Sequence, residues 1–233
     1  MKPSATIKLG SAFGIDVLLH WSFFLFPLLI GWLAWVSGHS ISQTAVWTVL
    51  LIVVLGSVLL HELGHALTAK KLGIPIIDIV LTPICGLARL ERSPAGPWDE
   101  VRVAIAGPLV NLLVAMILGL VLGWQQVTFS LDPAVITSSI VLTLFWINLS
   151  LCLINLLPIF PMDGGRILRA VLSMALDNAK ATTLAARLGQ LLSICVVFWG
   201  LYSGFYPFVV VGTALMLMAE QELRQHFLYP SKP

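Results

Sequence analysis

Two histidines and a glutamate interrupt an oily stretch of this chain. His61-Glu62-Leu63-Gly64-His65 follows the nearly unbroken apolar run from Ala45 to Leu60. Imidazoles and a carboxylate are expensive to place near hydrocarbon, so ionisable residues in such a setting carry function by default. On a helix, side chains four apart lie on one face, and His61 and His65 can offer their nitrogens to one metal ion. Glu62, beside them, can move a proton. The competing reading is a set of buried polar residues that join neighbouring membrane helices.

The bulk properties set the solvent. The chain has 233 residues, 58% of them hydrophobic and only 10% charged, with a mean hydropathy of +0.97. A soluble domain carries about 25% charged residues, so this much apolar surface implies a lipid environment. The net charge of +2 comes without a basic stripe, which gives no sign of a nucleic-acid partner. Cys85, Cys152 and Cys195 are odd in number and widely spaced, and they read as small buried hydrophobes rather than a disulfide framework. The first apolar run, Val17 to Val36, is long enough to span and lacks a cleavage pattern after it. It reads as a retained membrane helix.

The elements that must position the motif follow from hydropathy and punctuation. The reading is an all-α polytopic membrane protein with six transmembrane helices, at about 17–37, 43–69, 100–124, 135–157, 183–203 and 206–222. They form a single domain over 1–233, with no room for a PDZ or CBS domain. Residues 1–16 read as a polar lead. His20, near the start of helix one, reads as an interfacial or hydrogen-bonded histidine, with a metal-site role as the alternative. Between helices two and three, Ile74 to Thr82 is rich in β-branched residues, Pro83-Ile84-Cys85-Gly86 has turn chemistry, and Leu87 to Arg92 mixes apolar with charged residues. This predicts a small β-hairpin over 74–92, whose edge could take an extended peptide; a plain connector is the alternative. Gly107-Pro108 and Asn111 interrupt helix three, and Asn111 reads as a packing residue. After helix four, Pro158, Pro161, Gly164 and Gly165 hold Asp163 in a stiff, non-helical loop, and an amphipathic piece at about 165–180 leads to helix five.

Charge sets the orientation. All thirteen Lys and Arg fall in the lead, the 2–3 connection, the 4–5 connection, the tail or adjoining helix ends. Positive charge prefers the cytoplasm, so both termini are expected inside. The sixteen residues from Ala45 to Leu60 rise ~24 Å of a ~30 Å core. That puts His61 and His65 in the cytoplasmic half. A catalytic zinc takes three protein ligands and one open position. Asp163, just past the cytoplasmic end of helix four, is the acidic residue on the matching side that is held in a rigid segment.

With both segments read, the chain resembles the site-2 protease family of intramembrane zinc metalloproteases. The resemblance rests on His61-Glu62-Leu63-Gly64-His65 within a membrane helix and on Asn155-Leu-Leu-Pro158-Ile-Phe-Pro161-Met-Asp163-Gly-Gly after a later one. Gly107-Pro108-x-x-Asn111 also matches, and the whole covers roughly residues 15–175. It implies one catalytic Zn2+ held by His61, His65 and Asp163, with Glu62 as the base. Asn155 is implied to line the active site and to contact the oxyanion or substrate. It further implies hydrolysis of peptide bonds in or near the transmembrane segment of single-span membrane proteins, in a bacterial or archaeal cell membrane. A departure is Cys85-Gly86, where the family often has Gly-Gly. A metal transporter using the same ligands, or a silent membrane scaffold, would be the other classes. The ligands lie at one depth without an internal repeat, and Glu62 is intact, which favours neither.

Overall fold

The computed structural model describes residues 5–38, 40–82, 86–123 and 140–228. The expected hairpin turn at 83–85, the expected loop from 125 to 133 and the start of the expected fourth helix lie outside the described residues. The chain falls into two compact units, residues 1–93 with 109–152, and residues 94–108 with 153–233.

The first unit is built on a four-stranded sheet and long apolar helices. Strand β1 (Thr6–Ala12) turns back through Phe13 and Gly14 into β2 (Ile15–His20). Both turn residues have positive φ, +53° and +80°, the requirement of the tight turn that matches strand twist. A 3-10 turn, Trp21–Phe24, leads into α1 (Leu25–Val36), followed by α2 (Ile41–Lys71), β3 (Ile76–Leu81) and β4 (Gly86–Leu90). The sheet order is β1-β2-β3-β4, with β2 and β3 parallel and the outer pairs antiparallel. The expected hairpin over 74–92 is therefore present as β3 and β4, but it is half of a larger sheet.

The N-terminal segment departs from its sequence reading. Residues 17–20 form strand rather than the first turn of a helix, and α1 begins only at Leu25. Val17, Leu18 and Leu19 are all buried. A short, wholly apolar run reads alike on a buried strand and on a buried helix. The polar lead before it supplies the exposed edge strand that completes the pairing.

The sheet covers one side of α2. Ile15, Val17, Leu19, Ile79 and Leu81 form a buried cluster with Leu63 and Ala66 of α2, so the segment carrying the histidines is pinned by burial. Lys70, near the end of α2, donates to the Phe13 carbonyl at 3.0 Å and ties the β1–β2 turn to it. Helices α3 (Pro97–Leu122) and α4 (Ile140–Asn155) follow.

The second unit contains α5 (Asp163–Leu172), α6 (Asn178–Ser203) and α7 (Tyr206–Leu228). Phe160, Ala185, Ala186 and Ala219 form its buried cluster. Gln190 donates to Glu220 at 2.9 Å and joins α6 to α7 within this packing. Arg169 of α5 pairs with Glu100 at the start of α3.

Among the described residues, three helices are long and apolar enough to cross a membrane, Thr44–Lys71, Pro97–Leu122 and Asn178–Ser203. Trp21–Val36 and Ile140–Asn155 are shorter apolar helices. Among the described residues the architecture is mostly helical with a small sheet. Within the described residues, three of the six expected spans meet the length and composition needed.

Candidate metal centre

The motif lies inside α2 as the spacing predicts, and the helix sorts its residues by direction. Ser57, His61 and His65 are four apart and share one face, while Leu63 and Ala66 face the sheet. His61, Glu62 and His65 are 5%, 8% and 7% exposed. The two imidazoles meet edge to face, with their Nε2 atoms 3.0 Å apart.

A buried polar network fixes the first imidazole. His61 Nδ1 lies 2.6 Å from Asn111 Oδ1. Asn111 Nδ2 donates to Asn148 Oδ1 at 2.8 Å and to the Ser57 carbonyl at 3.5 Å. That leaves Asn111 Oδ1 as the acceptor, so His61 Nδ1 is the donor. Its Nε2 therefore keeps the lone pair and points it toward His65. Asn148 Nδ2 in turn donates to Ser57 Oγ at 3.1 Å and to the Leu144 carbonyl at 2.9 Å. Asn111 and Asn148 are fully buried. Such groups are stabilising only when their partners are supplied, and here one network supplies them from α2, α3 and α4.

Asn111 has a second role here. Its small, polar character in a membrane helix favoured packing over chemistry; it is buried between helices, and it is also the acceptor that orients a candidate ligand. The available signal was Ser57, four residues before His61, together with Asn111 and Asn148 on two other apolar helices.

Glu62 points toward the sheet. Its Oε2 accepts the Ala88 N–H of β4 at 2.9 Å. Gly86 lies against the same side chain: a Cβ there would stand 2.3 Å from Glu62 Cγ. The strand that carries these contacts is braced by Arg89, whose Nε donates to the buried Asp78 of β3 at 2.6 Å in a two-bond pair. That bonding to Asp78 raises the Arg89 guanidinium above its usual range, so the brace stays charged.

Asp163 is the first residue of α5 and is 6% exposed. The stiff loop expected around it is shorter than its sequence suggests. Asp163, Gly164 and Gly165 belong to the first helical turn, after an extended Met162. The glycines serve close approach, since a Cβ on Gly164 would lie 2.3 Å from the carbonyl oxygens of both Leu156 and Leu157. Asn155 ends α4 and is half-buried. His20 caps the 3-10 turn, accepting from the Ser22 N–H at 3.3 Å, which is the hydrogen-bonded role.

His61, His65 and Asp163 lie together and could bind a metal ion: one ligand atom from each is within 4.8 Å of the others. The donor chemistry fits zinc. Tetrahedral Zn–N bonds of about 2.0–2.1 Å put two ligand nitrogens roughly 3.3 Å apart, close to the 3.0 Å seen between the histidines. Two helical imidazoles one turn apart, a carboxylate third donor and an adjacent glutamate define a metallopeptidase type of centre.

Comparison with known proteins agrees. The family model described as Peptidase family M50 matches residues 49–135 and 130–196. A zinc metalloprotease of Methanocaldococcus jannaschii is 38% identical over 220 residues, 94% of this chain and 61% of that protein. A putative zinc metalloprotease of Synechocystis is 34% identical over 79% of this chain and 49% of the relative. The solved structure of a site-2 protease from Methanocaldococcus jannaschii superposes with a TM-score of 0.69 at 37% identity, covering 94% of this chain and 95% of that one. The chain belongs to peptidase family M50. It spans about half to three fifths of the length of these two curated relatives.

Proposed function

We propose that this chain is an intramembrane zinc metalloprotease that hydrolyses a peptide bond in or near the transmembrane segment of single-span membrane proteins. Its ligands are His61, His65 and Asp163, and Glu62 is the general base. What carries the reading is the buried His61, His65 and Asp163 group beside a buried glutamate, in a member of the M50 family.

Bound zinc supplies Lewis-acid polarisation of the scissile carbonyl and brings the pKa of water toward ~7. The remaining work belongs to side chains. Asn111 holds His61 in the tautomer whose Nε2 is a ligand. Glu62 takes a proton from the attacking water and returns it to the departing amide nitrogen. Asn155 offers a donor to the oxyanion.

Water and substrate must both reach this centre. A helical substrate hides its carbonyls in its own hydrogen bonds and must unwind to be cut. Strand β4 ends the described sheet, and its Ala88 N–H points to Glu62 and away from β3. An unwound segment laid along this edge, in the manner of strand addition, would run past the base. The orientation follows the positive-inside pattern, a multi-pass protein with both termini cytoplasmic.

The test uses a model single-span substrate in detergent and in liposomes. Glu62→Gln retains stoichiometric zinc and loses cleavage, whereas His65→Ala loses both. Cleavage at wild-type rate by Glu62→Gln would falsify the role of the base, and protein-dependent zinc flux without proteolysis would point to a transporter.

A further inference from the structure

We infer that strand β4 is a positioning element for the general base, with the Ala88 amide fixing the Glu62 carboxylate and Gly86 leaving the space in which it lies. The inference rests on the reading of Glu62 as the base and concerns how that residue is held.

A glutamate on a helix has three side-chain torsions, and an unrestrained carboxylate spends little of its time at one orientation. Here the options are few. Oε2 is bound by the Ala88 N–H at 2.9 Å, which uses one oxygen and leaves Oε1 for proton transfer. The side chain runs over Gly86 so closely that a methyl there would overlap it: the built Cβ stands 2.3 Å from Cγ and 2.8 Å from Cδ and Oε1. Atoms do not approach that closely, so any side chain at 86 displaces the carboxylate.

Register makes the donor available. Ala88 stands opposite Ile79 in the antiparallel β3–β4 pair. Its N–H is turned to Glu62 instead of into the ladder, and residues of an antiparallel strand alternate in this way. The strand itself is held by the Asp78–Arg89 pair, and β3 is buried against α2 through Ile79 and Leu81. The amide is thus a fixed point relative to the helix that bears Glu62. A backbone donor on a braced strand costs no reorganisation, which is what positioning a base requires. One consequence reaches the substrate: while Glu62 holds the Ala88 N–H, a peptide strand cannot also take it.

Two measurements decide the matter. Hydrogen–deuterium exchange by mass spectrometry is followed in the peptide spanning 86–90, in wild type and Glu62→Ala, both zinc-loaded. Loss of the carboxylate should speed exchange there at least threefold, with the peptide spanning 76–81 unchanged. In steady-state cleavage of the model single-span substrate, Gly86→Ala should lower kcat at least tenfold with zinc content and KM within twofold. In a Glu62→Asp background, whose shorter side chain withdraws from residue 86, the same substitution should cost less than twofold. Unchanged exchange in Glu62→Ala overturns the proposal, whether or not the Gly86 variant folds. So does a Gly86→Ala enzyme with raised KM and normal kcat, which would assign the edge to substrate alone. Neither result touches the base role, which is decided separately by Glu62→Gln.

Discussion

His61 and Asn111 are fifty residues apart, and the Nδ1 of the one donates to the Oδ1 of the other across 2.6 Å. This bond sets which nitrogen of His61 carries the proton and which keeps its lone pair. An acceptor behind a metal-binding imidazole is typically worth ten- to a hundredfold in metal affinity.

The Asn111→Leu variant should therefore bind zinc 10–100-fold more weakly while remaining folded in the membrane. Competition against a chromogenic chelator measures this directly. Asn111→Asp, which retains an acceptor oxygen at the same place, should recover part of the loss. Equal affinity in Asn111→Leu and wild type would show that another group orients His61.

Asn148 is the hub behind that bond, with Ser57 Oγ, the Leu144 carbonyl and Asn111 Nδ2 as its partners. Asn148→Leu strands Asn111 Nδ2 with only its long bond to the Ser57 carbonyl. A buried group so treated costs about 1–3 kcal/mol, and values in membranes average nearer ~0.6 kcal/mol. We expect about 1 kcal/mol, read as a lower Tm in detergent. The Asn111→Leu/Asn148→Leu pair should lose less than the sum of the two single variants, because the second change removes a donor already stranded.

Gly164 admits no side chain. A Cβ would meet the Leu156 and Leu157 carbonyl oxygens at 2.3 Å, and backbone atoms cannot swing away as a side-chain tip can. Gly164→Ala should shift Asp163 and abolish stoichiometric zinc, with a stability loss of about 1–3 kcal/mol from overpacking. Elemental analysis of the purified variant, beside its Tm, checks both parts.

Asp177 caps α6, accepting from the Lys180 N–H at 2.9 Å. Hydrogen bonds from the Lys180 side chain, then its backbone N–H, hold its carboxyl below the usual carboxylate range. A group with a depressed folded-state pKa contributes fully above its unfolded value and loses that contribution as pH falls toward the folded one. The stability of the wild type should therefore drop more steeply below about pH 4 than that of Asp177→Asn. Equal Tm at pH 7 and pH 3.5 relative to the variant would remove the cap from the account.

The reach of the sequence can be stated residue by residue. The two histidines, the glutamate and their common face were legible because a helix has a fixed period and because ionisable groups in an apolar run are conspicuous. Asp163 stood out because prolines and glycines surround it, although the stiff loop they suggested is largely the first turn of α5. The hairpin at 74–92 showed itself through β-branched residues. What stayed hidden was pairing. That residues 17–20 are strand depends on partners in β1 and β3, and a wholly apolar run carries no mark of them. That Asn111 accepts from His61, or that the Ala88 amide meets Glu62, depends on elements brought together from 50 and 26 residues away. Composition and period are local properties, set by one segment and its solvent. A hydrogen bond between segments is decided only when both are packed, and here that packing put Asn111 behind His61 and Gly86 against Glu62.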